Sequence, residues 1–244
     1  MSATGSAGTI GAGDYLKKHY PGMLIGAVEA LQCPTLYSNG FGEHRIEGIG
    51  DKHVPWIHNV RNTDAVIAID DEDTMRLLRR FNEPAGHAWL AKQGVAKGVL
   101  EQLPLLGISG ACNLLSAVKL AKYYELGSDD VVLTVFTDSE ALYTSRLEEL
   151  RAERGAYSET DAARDLDRRL HGQKTDFLRE LGYRDRKALH HLKYFTWVEQ
   201  QGKTSEELRA LWDPSFWDAQ YAAAAEWDAL IDSFNARTGV LQAM

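Results

Sequence analysis

Short apolar runs alternate with amphipathic stretches along the first 150 residues of the chain. The runs at 22–29, 65–69 and 131–136 read GMLIGAVE, AVIAI and VVLTVF, and each predicts a buried strand. The stretch DDEDTMRLLRRF, which follows the second run, predicts a helix because acids stand in its first turn and arginines in its last. Residues 110–124 predict another helix with one apolar face. This alternation predicts an α/β fold with a mainly parallel sheet flanked by helices.

Two stretches between these elements have weaker patterns. Residues 30–63 contain prolines and a segment dense in Gly and His, GFGEHRIEGIGDKHVP. A loop of that length within a compact domain is usually functional. Residues 84–106 predict one further helix, which glycines interrupt.

Beyond about residue 150 the chain becomes charged and helical, and no strand pattern follows. Ser158 and Thr204 each stand three residues before an acidic residue, which is the spacing of a capping box at a helix start. We therefore expect an α/β domain over residues 1–150 and an all-helical extension over residues 151–244. One side of the last helix is apolar and is predicted to dock on the α/β domain or on another subunit. Its residues are Phe216, Trp227, Leu230, Ile231 and Phe234.

The composition restricts the class of protein. With 244 residues, of which 44% are hydrophobic, the chain can bury a core and does not have the composition of a disordered protein. A formal charge of -8 argues against nucleic-acid binding, which needs a basic face. No apolar run reaches the roughly 18 residues of a membrane span, and the N-terminus does not resemble a signal peptide. Cys33 and Cys112 are far apart and predict buried thiols in a reducing compartment, so we expect a soluble, cytoplasmic protein.

Three turns rich in glycine and hydroxyl groups are candidates for binding a polar cofactor. Residues 4–12, TGSAGTIGA, lead into a helix, where a glycine-rich backbone can approach an anion and free N–H groups can bind it. The turn GISGACN at 107–113 opens a predicted helix, and TDSEALYTS at 137–145 follows the last predicted strand. Phosphate loops normally follow a strand, but only three residues precede the first turn. We therefore expect the chain to begin inside a folding unit.

Taken in order, these motifs resemble the C-terminal half of the cysteine synthase family, which are pyridoxal-phosphate enzymes of the tryptophan synthase β fold type. TGSAGTIGAGDYLKKHYPG is similar to the family's phosphate loop and following helix. VEALQCP through EHRIEGIGDKHVP is similar to its strand, long loop and HKIQGIG-like turn. GISGACNLLSAVKLA is similar to its GISSGAN turn and helix, and VVLTVFTDSEALYTS to its strand and PDSGERYLST ending. The resemblance covers residues 2–146.

The resemblance implies pyridoxal 5'-phosphate as the cofactor and assigns a phosphate loop. Gly5, Ser6, Ala7, Gly8 and Thr9 match the loop that holds the cofactor phosphate. Backbone N–H groups and two hydroxyls at a helix start suit a dianion. Ala7 stands where the family usually has glycine.

The resemblance also assigns residues to the cofactor ring and to the substrate. Ser109 matches the serine that hydrogen-bonds the pyridine nitrogen, and a neutral hydroxyl there leaves that nitrogen unprotonated and favours elimination. Asp138, Ser139 and Tyr143 match the residues that shape the ring-nitrogen side of the pocket. The turn that faces the substrate amine is matched by Gly48, Ile49 and Gly50.

No catalytic residue is assigned in this chain, because the family's Schiff-base lysine lies in its N-terminal half. A reactive lysine needs a depressed pKa. The lysines of the resembling region and its loops are instead predicted to be surface residues: Lys17, Lys18, Lys52, Lys92, Lys97, Lys119 and Lys122. We expect a missing N-terminal half or a partner chain, without which the chain is inactive. The complete enzyme is expected to be a homo-oligomeric lyase or transferase that catalyses β-elimination or β-replacement on a small L-amino acid.

Two other functions stay open. The first is a truncated or degenerate, non-catalytic structural or interaction protein. The second is a dinucleotide-binding oxidoreductase module, although GSAGTIGAG lacks a preceding strand and Glu29 only partly matches the expected acidic residue. His44, His53 and His58 cluster in the long loop without the spacing of a metal site, so no metal is predicted. A hydrolase is not indicated, because the chain has no GxSxG elbow.

Overall fold

The structure is a computed structural model that describes residues 1–3, 8–50 and 52–242, except for the side chains of residues 9 and 242. The chain divides into two compact units, Met1–Leu192 and Lys193–Met244. Each unit is described by itself below.

A four-stranded sheet forms the centre of the first unit. Its strands are β1 (Ser2–Ala3), β2 (Gly26–Ala30), β3 (Ala65–Ile69) and β4 (Leu178–Glu180), in that spatial order. β1, β2 and β3 are parallel, and β4 is antiparallel to β3. All residues of β2 and β3 are buried, as expected for strands covered on both faces. The strands predicted near 22–29 and at 65–69 and the mainly parallel α/β fold are therefore confirmed.

Helices surround this sheet and continue beyond it. In the first unit they are α1 (Gly8–His19), α2 (Thr35–Ser38), α3 (Asp71–Asn82), α4 (Pro84–Lys92), α5 (Lys97–Leu100), α6 (Ile108–Tyr123), α7 (Thr144–Arg154), α8 (Glu159–Asp165) and α9 (Tyr183–Lys193). Short 3-10 helices lie at Val60–Asn62, Leu103–Leu105 and Glu140–Leu142, and a π-helix lies at Leu166–His171. The second unit contains a π-helix at Tyr194–Val198, then α10 (Ser205–Ala210), α11 (Pro214–Ala222), α12 (Ala224–Thr238) and a 3-10 turn at Val240–Gln242.

The alternation of side chains along β2 and β3 creates two cores, one on each face of the sheet. Val28 and Ile67 point into a core with buried residues of α3 and α6. Their neighbours Ala27 and Val66 point into a second core with residues of α1 and α9. Because successive side chains of a strand face opposite sides, two short strands hold helices on both faces.

Helix α3 has the boundaries that its charges predict. The carboxylate of Asp70 caps it by accepting a 2.9 Å hydrogen bond from the N–H of Glu72. The two predicted capping boxes, which start at Ser158 and Thr204, are also present. The helix predicted over 84–106, with glycine interruptions, is present as two helices and not one, because Gly94 adopts a positive φ of 88° and separates α4 from α5.

The strand predicted at 131–136 is also wrong, since these residues form no ladder with β1. β1 is only two residues long. The side chain of Asn113 lies between the two segments, where it accepts from the N–H of Ala3 at 3.1 Å and donates to the carbonyl of Val135 at 2.9 Å. One amide side chain thus takes the place of direct backbone pairing.

The part after residue 150 is not all helical. β4 adds Leu178–Glu180 to the sheet, and residues 151–192 belong to the first compact unit. The sequence gives little sign of β4, because a three-residue strand with one buried apolar side chain has no measurable period. That the cofactor-binding part ends near residue 150 is a statement about function and stays a prediction.

Buried arginines also connect residues beyond 150 to α3. Arg79 donates to the carbonyl of Gly155 at 2.8 Å, and Arg80 donates to the carbonyl of Ala162. Both guanidinium side chains are at most 1% exposed. Gly155 and Ala162, at the start of the predicted extension, therefore accept hydrogen bonds from the α/β core.

In the second unit, Trp217 donates its ring N–H to the carbonyl of Leu211 at 2.9 Å and packs edge-on against Phe216. The apolar side of α12 is about half exposed along Trp227, Leu230, Ile231 and Phe234. Its docking stays a prediction.

Among the described residues, no single helix is long and apolar enough to cross a bilayer. One pair of helical segments, Lys97–Leu105 and Ile108–Tyr123, has the required length and composition only when the two are taken together, and they are bent by 114° relative to each other.

Candidate cofactor site

The N-terminus of α6 is held against the segment that follows residues 131–136. Gly107 is the N-cap of α6, and its N–H donates to the carbonyl of Asp138 at 3.0 Å. A Cβ atom on Gly107 would overlap the Oδ1 atom of Asp138, so any larger residue here would displace that carboxylate. The first turn of α6 and residue 138 therefore form one surface.

Ser109 lies in the first turn of α6 and is only 5% exposed. Its Oγ atom is 3.2 Å from the Oγ1 atom of Thr137. A hydroxyl has one donor and two acceptor positions. Ser109 can therefore accept from Thr137 and still donate its own hydrogen to another group.

Asp138 and Tyr143 form a second pair beside this turn. The Tyr143 hydroxyl donates to the Oδ2 atom of Asp138 at 2.5 Å. Burial and this hydrogen bond raise the pKa of Tyr143 to about 12, so the phenol is neutral near pH 7. The Oδ1 atom of Asp138 is buried and has no hydrogen-bond partner among the residues that the structure describes. An unsatisfied buried carboxylate oxygen is costly, and a donor on a bound group would relieve it.

The turn at residues 48–50 is connected to the same region. Gly48 and Gly50 have φ values of 79° and 68°, which favour glycine. Glu47, which precedes the turn, forms a 2.6 Å ion pair with Arg146 in the first turn of α7. Ile49 is buried. The loop therefore approaches the chain three residues beyond Tyr143.

A second ion pair holds the start of the same loop. Arg45 donates to both oxygens of Asp71 at the start of α3, at 2.6 Å for the closer contact. Burial alone would raise the pKa of Asp71, but the hydrogen bonds from Arg45 outweigh it and hold that pKa below its ordinary value. This pair orients the loop from the side of the sheet.

The predicted phosphate loop is only partly described. Gly5, Ser6 and Ala7 lie outside the described residues, as does the side chain of Thr9. Gly8 is the first residue of α1. The strand before the loop is β1, which pairs with β2. The loop therefore connects a short parallel strand to a helix, which is the usual place for anion binding.

The structure thus brings Ser109, Asp138 and Tyr143 together and places Ser139 beside them, just before the 3-10 helix Glu140–Leu142. Sequence reasoning missed the contributions of Thr137 and Asn113. Asn113 stands inside the GISGACN turn, so its place in that motif was the available signal.

The prediction that Lys119 is a surface residue is wrong. Lys119 is 3% exposed and donates to the carbonyls of Ala68 and Asp176 at 3.2 and 2.8 Å. Burial lowers its pKa. It stands ten residues beyond Ser109 on α6, about 15 Å along the helix, so it connects α6 to the sheet and does not reach the Ser109 site.

Glu29, the acidic residue considered for a dinucleotide, is occupied by the protein itself. Its two carboxylate oxygens accept hydrogen bonds from the N–H groups of Leu36 and Tyr37 at 2.9 and 2.7 Å. The side chain is 2% exposed. These contacts leave Glu29 unable to bind a ribose hydroxyl, so the partial match that it gave to the dinucleotide alternative is lost.

Comparison with known proteins agrees with the family resemblance that the motifs predict. Cysteine synthase B of Campylobacter jejuni is 32% identical over 146 residues, which are 59% of this chain and 42% of that protein. Cysteine synthase of Staphylococcus aureus is 31% identical over the same length, 41% of that protein. This chain is cysteine synthase-like over about three-fifths of its length. The predicted resemblance is confirmed.

The cysteine synthase-like chain spans about two-fifths of the length of the curated relatives it matches. No protein-family model matches it. Among solved structures, the hydrogen sulfide-producing enzyme of Fusobacterium nucleatum is 24% identical, with 72% of this chain and 43% of that chain covered and a TM-score of 0.45.

Proposed function

We propose that the first unit forms the ring-nitrogen side of a pyridoxal-phosphate site in a cysteine synthase-like enzyme. The reaction that this site serves is β-elimination or β-replacement on a small L-amino acid. The observation that carries the proposal is the buried Ser109 hydroxyl at the start of α6, with the Asp138–Tyr143 pair beside it. We further propose a cytoplasmic homo-oligomer.

The residues fit the cofactor at three points. Ser109 would donate its hydrogen to the pyridine nitrogen while it accepts from Thr137. The partial positive charge at the N-terminus of α6 disfavours protonation of that nitrogen, which suits a neutral partner. The Oδ1 atom of Asp138, which has no partner among the described residues, would accept a hydrogen bond from a donor on the bound group. Gly8 and Thr9 at the start of α1 would contact the phosphate.

Bound pyridoxal phosphate would supply the electron sink for the reaction at the substrate β-carbon. The role of this chain is to orient the cofactor. Ser109 keeps the ring nitrogen neutral, Tyr143 keeps its proton, and Asp138 fixes Tyr143. Gly48, Ile49 and Gly50 would face the substrate amine. The reactive lysine is proposed to come from a lysine-bearing half or partner chain.

The test is the affinity of the purified chain for pyridoxal phosphate, measured by equilibrium dialysis and by quenching of the cofactor's fluorescence. We expect Ser109→Ala to weaken binding about ten-fold, since one hydrogen bond is worth about 1–1.5 kcal/mol. The matched control is Ser116→Ala. Ser116 is buried in the same helix, but its hydroxyl donates to the carbonyl of Cys112.

Equal losses in the two variants would show that Ser109 acts through the stability of α6 and not through the cofactor. No binding by the wild-type chain at millimolar cofactor would refute the proposal for this chain alone. The non-catalytic alternative would then be preferred.

A further inference from the structure

The turn at residues 48–50 has open space on one side and a core on the other. Gly48 is exposed, and a Cβ atom there would meet nothing within 4 Å. Ile49 is 5% exposed and belongs to the same core as Leu147 of α7. The positive φ values of Gly48 and Gly50 let the chain reverse on either side of Ile49. The core therefore holds the inner side of the turn, and Gly48 stands where a ligand can approach.

One ion pair connects the exposed side of this turn to the start of α7. The Nη2 and Nε atoms of Arg146 donate to the same Oε1 atom of Glu47, at 2.6 and 3.1 Å. The N–H of Arg146 donates in turn to the carbonyl of Tyr143 at 3.0 Å. Burial and Asp138 raise the pKa of the Tyr143 phenol to about 12, and the charge of Glu47 is close enough to contribute. Glu47 therefore lies beside both the turn and the Asp138–Tyr143 pair.

The local sequence of α7 does not favour a cation at residue 146. The first turn of an α-helix favours acidic side chains, because its N–H groups carry partial positive charge. The first turn of α7 contains no acid, and it contains Arg146. Two carboxylates compensate for this position, Glu149 in the same helix at 2.6 Å and Glu47, which is 99 residues away in the chain. Of the two, only Glu47 connects α7 to another segment.

We propose that Arg146 is a positioning residue, which through Glu47 fixes the turn at 48–50 relative to the Asp138–Tyr143 side of the cofactor site. This inference rests on the proposed function, which assigns the turn to the substrate amine and the pair to the cofactor. A cofactor that orders the Tyr143 segment then also orders the turn that receives the substrate. Because coupling between two binding sites is reciprocal, an amino acid held by the turn strengthens cofactor binding by the same factor.

The first measurement is hydrogen–deuterium exchange of the purified full chain without cofactor, followed by mass spectrometry over residues 44–50. The N–H groups of Arg45 and Glu47 are hydrogen-bonded, so their exchange reports the opening of this segment. We expect Arg146→Gln to speed the exchange about two- to five-fold, which is the range for a partly exposed ion pair. Exchange over β3 should stay at the wild-type rate and shows that the variant is folded.

Two control variants separate the ion pair from the stability of α7. Arg146→Lys should keep the wild-type exchange, because both nitrogen atoms of Arg146 contact one oxygen, which a single ammonium group can also bind. Glu149→Gln removes the partner within α7 and leaves Glu47 in place, so it should keep the wild-type exchange as well.

The second measurement repeats the exchange with saturating pyridoxal phosphate. We expect the cofactor to slow the exchange over residues 44–50 in the wild type and in Arg146→Lys. In Arg146→Gln this slowing should be absent, although equilibrium dialysis shows that the variant still binds the cofactor.

Wild-type exchange over residues 44–50 in Arg146→Gln would overturn the inference alone, and so would a cofactor effect of wild-type size in that variant. Exchange as fast in Glu149→Gln or Arg146→Lys as in Arg146→Gln would also overturn it, since residue 146 would then act through the stability of α7. A wild-type chain that binds no pyridoxal phosphate would instead overturn the proposed function and the inference with it.

Discussion

At the scale of the residue, Glu29 illustrates how burial decides what a side chain does. It stands at the penultimate position of β2, and its carboxylate accepts from the N–H groups at the start of α2. Burial raises its pKa to about 7, even though these hydrogen bonds favour the charged form. The sequence shows an acid after an apolar run, which is also the place of a ribose ligand. Only the fold shows that the acid is already bound to its own backbone.

Glu29 also makes the stability of the protein depend on pH. Because its pKa in the folded protein lies above the ordinary value of 4.5, the folded state holds this proton more tightly than the unfolded state. The stabilisation is complete below pH 4.5 and is lost as the pH rises through about 7. We expect the free energy of unfolding of the wild type to fall by roughly 1–3 kcal/mol across this interval.

In Glu29→Gln this part of the slope should disappear, as measured by urea unfolding at several pH values. The exposed Glu101→Gln is the control and should keep the wild-type slope. Asp14, whose pKa burial raises to about 6, contributes with the same sign in every variant, so only the difference from wild type is informative. Parallel slopes in wild type and Glu29→Gln would contradict the assignment.

At the scale of the element, two glycines between residues 84 and 106 have opposite environments. Gly86 is buried in α4, and a Cβ atom there would overlap the carbonyl of Arg80 at the end of α3. Gly98 in α5 is exposed, and a Cβ atom there would meet nothing within 4 Å. The sequence shows both simply as interruptions of a helical pattern.

We expect Gly86→Ala to destabilise the protein by about 1–3 kcal/mol, because the backbones of α3 and α4 must move apart to make room for the methyl group. Gly98→Ala should instead stabilise it by about 0.5–1 kcal/mol through helix propensity. Midpoints of urea unfolding measure both. If the two substitutions have the same sign, the close approach of α4 to α3 is incorrect.

At the scale of the whole molecule, the α/β core needs residues beyond 150. β4 pairs with β3, and the guanidinium groups of Arg79 and Arg80 find carbonyl partners at Gly155 and Ala162. Without residues beyond 150, Arg79 keeps its ion pair with Glu83, but the buried guanidinium of Arg80 loses the carbonyl of Ala162, and an unpaired buried charge costs several kcal/mol. A cofactor site on α6 depends on this core, because α3 and α6 share it.

We therefore expect a chain of residues 1–192 to unfold cooperatively in urea and a chain of residues 1–150 to show no cooperative transition. Far-UV circular dichroism and tryptophan fluorescence, recorded on the same samples, measure this. A cooperative transition at the wild-type midpoint in the shorter chain would contradict the dependence of the core on residues 151–192.

The sequence alone determined the central strands, the charged boundaries of α3, the two capping boxes and, by resemblance, the group Ser109, Asp138 and Tyr143. These features depend on local periodicity and on short motifs, which residues near each other in the chain define. Tertiary structure decided the rest. Whether 131–136 becomes a strand depends on Asn113, whether Lys119 is exposed depends on the carbonyls of Ala68 and Asp176, and β4 exists because β3 offers it an edge. Pairing and burial join residues that are distant in the chain, so no local pattern encodes them.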